Sequence, residues 1–124
     1  MKTQYRPSLA TSFVMSAFLI STSVFAAENE SPVAEMDNLI ALEQYQQAYD
    51  LGKGTLEEWE GDPEFDYVFG LAALESGNAN ESVFALERAA TTSADTGLRS
   101  LASLELARAY FVTNNLDASE NLFT

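Results

Sequence analysis

The sequence predicts an all-α protein, a tandem array of helical hairpins that follows a cleaved signal peptide. Three observations carry this reading. Gly61 to Ala94 reads as two amphipathic helices joined by a tight turn. Weaker copies of that unit lie 34 positions earlier and 37 positions later, about two and a half units in all. Met1 to Ala26 has the layout of an export signal rather than of a folded element.

In that leading stretch, Lys2 and Arg6 give a positive start and Leu9 to Phe25 an apolar middle. Val24-Phe25-Ala26 supplies the small residues of a cleavage site, so the mature chain is expected to begin at Ala27. Ser12, Ser16, Ser21, Thr22 and Ser23 interrupt the run and make it short and polar for a bilayer span. Residues 27–31 form a polar leader, and the helical repeat domain is expected over 32–124.

Ser31-Pro32 starts a helix to about Leu42, with Met36, Leu39 and Ile40 as its apolar positions. Its turn is poorly marked, because Glu43-Gln44 stands where the central unit has Gly77-Asn78. A second helix runs from about Gln44 to Glu60 and is expected to break or bend at Gly52 and Gly54. The central hairpin opens at Asp62-Pro63, where Asp can cap and Pro fits the first helical turn. Phe65, Val68, Phe69, Ala72 and Ala73 recur at helical spacing until Gly77 ends the helix. Asn78 and Glu81 have capping-box spacing, and Val83, Leu86, Ala89 and Ala90 follow. Asp95 can cap a third first-helix to about Val112, after which Asn114-Asn115 is expected to turn the chain into a last helix that has barely begun at Thr124. An array ending there would leave Leu101, Leu106, Tyr110 and Phe123 partly bare, so the isolated chain is expected to form a homodimer through this incomplete repeat, or to fray from about Asn114.

The central unit resembles a tetratricopeptide repeat (TPR), whose loose pattern is W-x2-L-G-x2-Y, then A-x3-F, then P, over about 34 residues. Phe69-Gly70 stands at the L-G pair, Ala73 at the Tyr, Ser82 at the first Ala, Leu86 at the Phe and Ala89 at the second Ala. Asp66 replaces the Trp and Ala94 the closing Pro. Leu106-Ala107-Arg108-Ala109-Tyr110 fits L-G-x2-Y better than the central copy does. The extra length between these copies is expected around Asp95 to Arg99, as nearly one added helical turn. The wording also resembles periplasmic TPR segments that precede outer-membrane β-barrels in Gram-negative bacteria, surface lipoprotein assembly modifiers among them.

The resemblance implies a concave groove lined by the first helices of successive repeats. Carried over position by position, its lining is Glu64, Tyr67, Leu71 and Leu74, then Leu101, Leu104, Arg108 and Phe111. Leu101 and Leu104 are expected to serve as core, with Tyr67, Arg108 and Phe111 the better binding candidates. Tyr67 and Leu71 replace the basic and Asn residues of repeats that clamp a terminal carboxylate, which disfavours that mode. The implied partner is a peptide or protein of the cell envelope, with an apolar anchor and an acidic group near Arg108, and the implied location is periplasmic or secreted.

Composition narrows the alternatives. The chain has no Cys and no His, so thiol chemistry, Ser-His arrangements and the commonest transition-metal ligand are excluded. Loss of Lys2 and Arg6 with the signal takes the charge from −13 to −15 and leaves Lys53, Arg88, Arg99 and Arg108 as the only basic residues. Such a surface repels nucleic acid and anionic membranes. No phosphate-cradling Gly loop is present, and no metal or cofactor is expected. The different-class alternative is a small secreted enzyme or Ca²⁺ binder built on the acids from Glu57 to Asp66, although Pro63 and Tyr67 break the Ca²⁺-loop pattern. The same acids read more simply as a solvated helix end followed by carboxylates favoured at a helix N-terminus.

Overall fold

The structure, a computed structural model, describes residues 30–122. Expectations that fall on the signal segment or on Phe123 lie outside the described residues. Within them the chain is all helical and repeat-like, with six helices: α1 (Val33–Ala41), α2 (Tyr45–Gly54), α3 (Leu56–Trp59), α4 (Pro63–Glu75), α5 (Ala79–Thr92) and α6 (Thr96–Leu122).

Two helical hairpins, α1–α2 and α4–α5, are closed by the same device, once at Glu43 and again at Gly77. At the end of α4, Gly77 takes φ 93°, its N–H donates to the Leu74 carbonyl, and the Asn78 N–H donates to the Ala73 carbonyl at 2.7 Å. This satisfies carbonyls that a helix end would otherwise leave bare. At the end of α1, Glu43 takes φ 59°, its N–H donates to Ile40, and the Gln44 N–H donates to Leu39 at 2.8 Å. A left-handed Glu is costly. It persists because α2 is then laid back against the core, where Ala48 and Gly52 are buried.

Helix α4 is the hub. It is apolar on nearly every side, burying Phe65, Val68, Phe69, Ala72, Ala73 and Leu74, as a helix enclosed by neighbours must. It packs on α1, α2, α5 and α6. One core joins Met36, Phe65, Val68, Phe69 and Ala85, with Phe69 stacked on both Phe65 and Tyr49. A second joins Leu74, Ala79, Leu86 and Ala109, and Tyr67 borders both. Gly70 permits the close approach of α4 to α5: a Cβ there would lie 2.6 Å from Leu86 Cγ. Gly52 does the same for α2, its open side facing the Phe69 ring and the Met36 methyl. Its loss of helix propensity is thus offset by packing.

The break expected in the second helix falls at Thr55, whose hydroxyl donates to the Leu51 and Gly52 carbonyls. Asp95 caps α6, its carboxylate accepting from the Gly97 and Leu98 N–H groups at 2.8 and 3.3 Å. Helix α6 starts about one turn ahead of Ser100, the position that matches Pro63 in the repeat register. In that register Phe65 and Ala72 fall on Ala102 and Ala109, and all four are buried.

Two expectations are corrected. Asn114-Asn115 makes no turn, since α6 runs unbroken through both to Leu122. Asn costs only several tenths of a kcal/mol in a helix relative to Ala, and neither position is Gly or Pro, so continuing the helix is cheap. The capping box at Asn78 does not form either, since no side chain caps α5. Glu81 turns to α2 instead, accepting from the Tyr49 hydroxyl at 2.6 Å and from Lys53 Nζ at 2.7 Å. It therefore ties one hairpin to the next. Asp62 stands at the N-cap of α4 with extended backbone, but its side chain makes no capping bond.

Candidate functional site

Helices α1 and α6 both pack against α4, so the first helix of each unit borders the next. The implied groove residues lie along α4 and α6 at spacings of three, four and three, which puts each set on one helix face. On α4, Glu64 is exposed and Tyr67 and Leu71 half-buried. Leu74 is buried in the second core and belongs to the packing rather than to a surface. On α6, Arg108 is exposed.

The core placement expected for Leu101 and Leu104 is corrected: they are 51% and 66% exposed, and Phe111 is 65% exposed. The buried face of α6 is set by Ala102 and Ala109, with Leu106 and Val112 beside them. Leu101, Leu104, Arg108 and Phe111 occupy another face. Among the described residues, no other helix shows two large apolar side chains this exposed on one face.

Arg108 is not a free cation. Its guanidinium bridges Glu75 at the end of α4 and, through Nε at 2.8 Å, Glu105 on its own helix. The Glu75 bond, with further support from Glu105, holds it still more firmly protonated than an ordinary arginine. Beside it, burial pushes the Tyr67 phenol above its ordinary range. Glu105 on α6 and Asp37 on α1 push it further in the same direction, and Arg108 only partly offsets them. Both of those helices pack against α4, on which Tyr67 lies. The Asp37 carboxyl is itself raised, by burial.

The acids from Glu57 to Asp66 do not act together. Asp66 turns inward and is fully buried, held by Arg88 through Nε–Oδ2 at 3.2 Å and NH2–Oδ1 at 3.1 Å, and by the Gly61 N–H at 3.2 Å. Burial raises its carboxyl above the ordinary range, against the pull of Arg88 and Gly61. Glu60 reaches the same guanidinium from outside at 3.4 Å. Among the described residues no three carboxylates are grouped to hold a metal ion. The one sequence sign of this bond is an acid among the apolar positions of α4, and it does not name a partner on the following helix.

Compared with protein-family models, curated proteins and solved structures, the chain finds no significant match in any of the three. Among the described residues, no helix is long and apolar enough to cross a membrane.

Proposed function

We propose that this chain is an exported, non-enzymatic TPR protein of the bacterial cell envelope, a module that binds a peptide or protein partner along the face of its first helices. The observation that carries the reading is the bare stripe of Leu101, Leu104 and Phe111 on α6, a helix that packs against α4. A soluble domain rarely leaves such a run of large apolar side chains uncovered unless something binds there. The TPR assignment is supported by two hairpins with matching end geometry one repeat apart. Gly70, which stands at the Gly of the L-G pair, adds to that support through its close approach to α5. Export rests on the Lys2/Arg6 start and the Val24-Phe25-Ala26 site.

Site-specific photo-crosslinking in cells tests the surface. A benzophenone side chain at Leu104 or Phe111 should capture a discrete partner, and one at the exposed Phe84 on α5 should not. Equal capture from all three positions, or none from the α6 pair, removes the groove assignment. Intact mass of the envelope-fraction protein should correspond to a chain starting at Ala27, and retention of residues 1–26 would overturn cleavage.

A further inference from the structure

We propose that the face formed by α1, α4 and α6 takes a basic amphipathic peptide segment. Its apolar side chains would rest on Leu101, Leu104 and Phe111, and its ammonium or guanidinium groups would meet Asp37, Glu64 and Glu105. This rests on the groove reading above and goes beyond it by setting the sign of the partner's charge.

The residue types alone suggest the opposite sign, because Arg108 is the one cation of the implied groove. The structure reverses that expectation. Arg108 already serves two carboxylates, Glu75 and Glu105, so the three groups together carry one net negative charge. Asp37 is exposed on α1, which packs against α4, and Glu64 stands one turn before Tyr67 on the same face of α4. Neither acid has a cationic partner among the described residues. Arg99, the other cation on α6 among the described residues, lines one surface depression with Leu104 and Ser103 and with Ala90 of α5, so it adds a second positive charge near the start of the stripe. The face therefore presents four carboxylates (Asp37, Glu64, Glu75 and Glu105) against two guanidinium groups, Arg108 and, beside Leu104, Arg99.

To reach Arg108, an acidic ligand would have to displace Glu75 or Glu105 and would still meet two unpaired carboxylates. Juxtaposing like charges in this way costs affinity. A basic ligand displaces nothing. Arg108 sits between Leu104 and Phe111 on the stripe, so its bound carboxylates lie at the edge of the apolar surface. Apolar and cationic groups on one peptide face can then be met together. Long-range attraction to a chain whose net charge is −13, and −15 once Lys2 and Arg6 leave with the signal, adds to the encounter rate without selecting the site.

The test is fluorescence anisotropy on the purified full chain with three labelled synthetic peptides of equal length. One is a helical Lys/Leu peptide with its Leu residues on one face, the second replaces every Lys by Glu, and the third keeps Lys but replaces Leu by Ser. The Lys/Leu peptide should bind tightest. Its affinity should fall on the order of fivefold with Asp37→Asn/Glu64→Gln, and about tenfold with Leu104→Ser/Phe111→Ser. Glu57→Gln/Glu58→Gln, which neutralises two exposed acids on α3, should leave it unchanged. Raising salt to about 1 M should remove the effect of the groove acids and keep that of the apolar pair.

If the Glu/Leu peptide binds as well or better and still depends on Leu104 and Phe111, the basic preference is wrong and the groove reading stands. If both acid pairs weaken binding equally, or the Lys/Ser peptide binds as tightly, the attraction is diffuse and the proposal fails. If no peptide depends on Leu104 and Phe111, the groove reading falls with it.

Discussion

Removing Arg88 is the sharpest perturbation this fold offers. Asp66 is 0% exposed, and its carboxylate is satisfied by Arg88 and one backbone N–H. In Arg88→Ala the carboxylate has two courses: to stay ionised and unpaired, or to take a proton. Leaving one partner of a buried pair uncompensated costs about 3–5 kcal/mol. Protonation sets a ceiling on that loss. Moving an ordinary aspartate, near pKa 3.9, into its neutral form at pH 7 costs about 1.36 kcal/mol per pH unit, or about 4 kcal/mol. Burial already raises Asp66 with Arg88 in place, so the cost of neutralising it lies below this ceiling.

The expected loss is therefore about 3–4 kcal/mol at pH 7, a large part of a domain's stability. A carboxyl whose folded pKa is raised contributes stability that is fully present below the unfolded pKa and lost as pH rises through the folded one. Arg88→Ala should accordingly recover stability as pH falls from about 7 to about 5.5, whereas the parent should change less. That range stays above the sequence pI of 4.1, where solubility is poorest. Urea unfolding followed by circular dichroism at the two pH values measures it, with Asp66→Asn added to Arg88→Ala as the rescue at pH 7. A loss that is independent of pH, or one that Asp66→Asn fails to relieve, would refute the argument that the unpaired charge sets the cost.

Glu43→Gly should stabilise the chain by about 1 kcal/mol by freeing the left-handed position at the end of α1. Gly77→Ala, at φ 93°, should cost about as much. Thermal melting reads both as shifts of about 4–8 °C in opposite directions. Gly70→Ala should destabilise by about 1–3 kcal/mol despite alanine's better helix propensity, because its Cβ meets Leu86; an unchanged urea midpoint would contradict the close approach. The hydrogen bonds from Lys53 and then Tyr49 hold the Glu81 carboxyl below the usual glutamate range. A depressed carboxyl contributes stability that is present above its unfolded pKa and lost as pH falls through the folded one. Glu81→Gln should thus be less stable than the parent at neutral pH and converge with it in acid, as unfolding midpoints across that range would record.

The hairpin unit, the start of α4 at Asp62-Pro63, the Gly77 turn and the Asp95 cap are all legible in the sequence. Each depends on interactions within a few residues, and local chemistry leaves a local pattern. The repeat register is legible for the same reason, since it repeats that pattern. Three outcomes are decided by tertiary structure. Glu43 turns the chain despite its side chain, because the turn buries α2, whereas Asn114-Asn115, with better turn residues, stays helical. Asp66 reads as one more solvated acid until packing brings α5 and Arg88 beside it. Arg108 reads as the single positive charge of a groove, and becomes part of an acidic face once the end of α4 sets Glu75 against it. Pairs such as Asp66 with Arg88 and Glu75 with Arg108 meet only through the angle and separation at which helices pack, and charge at a site is the sum over every helix that reaches it.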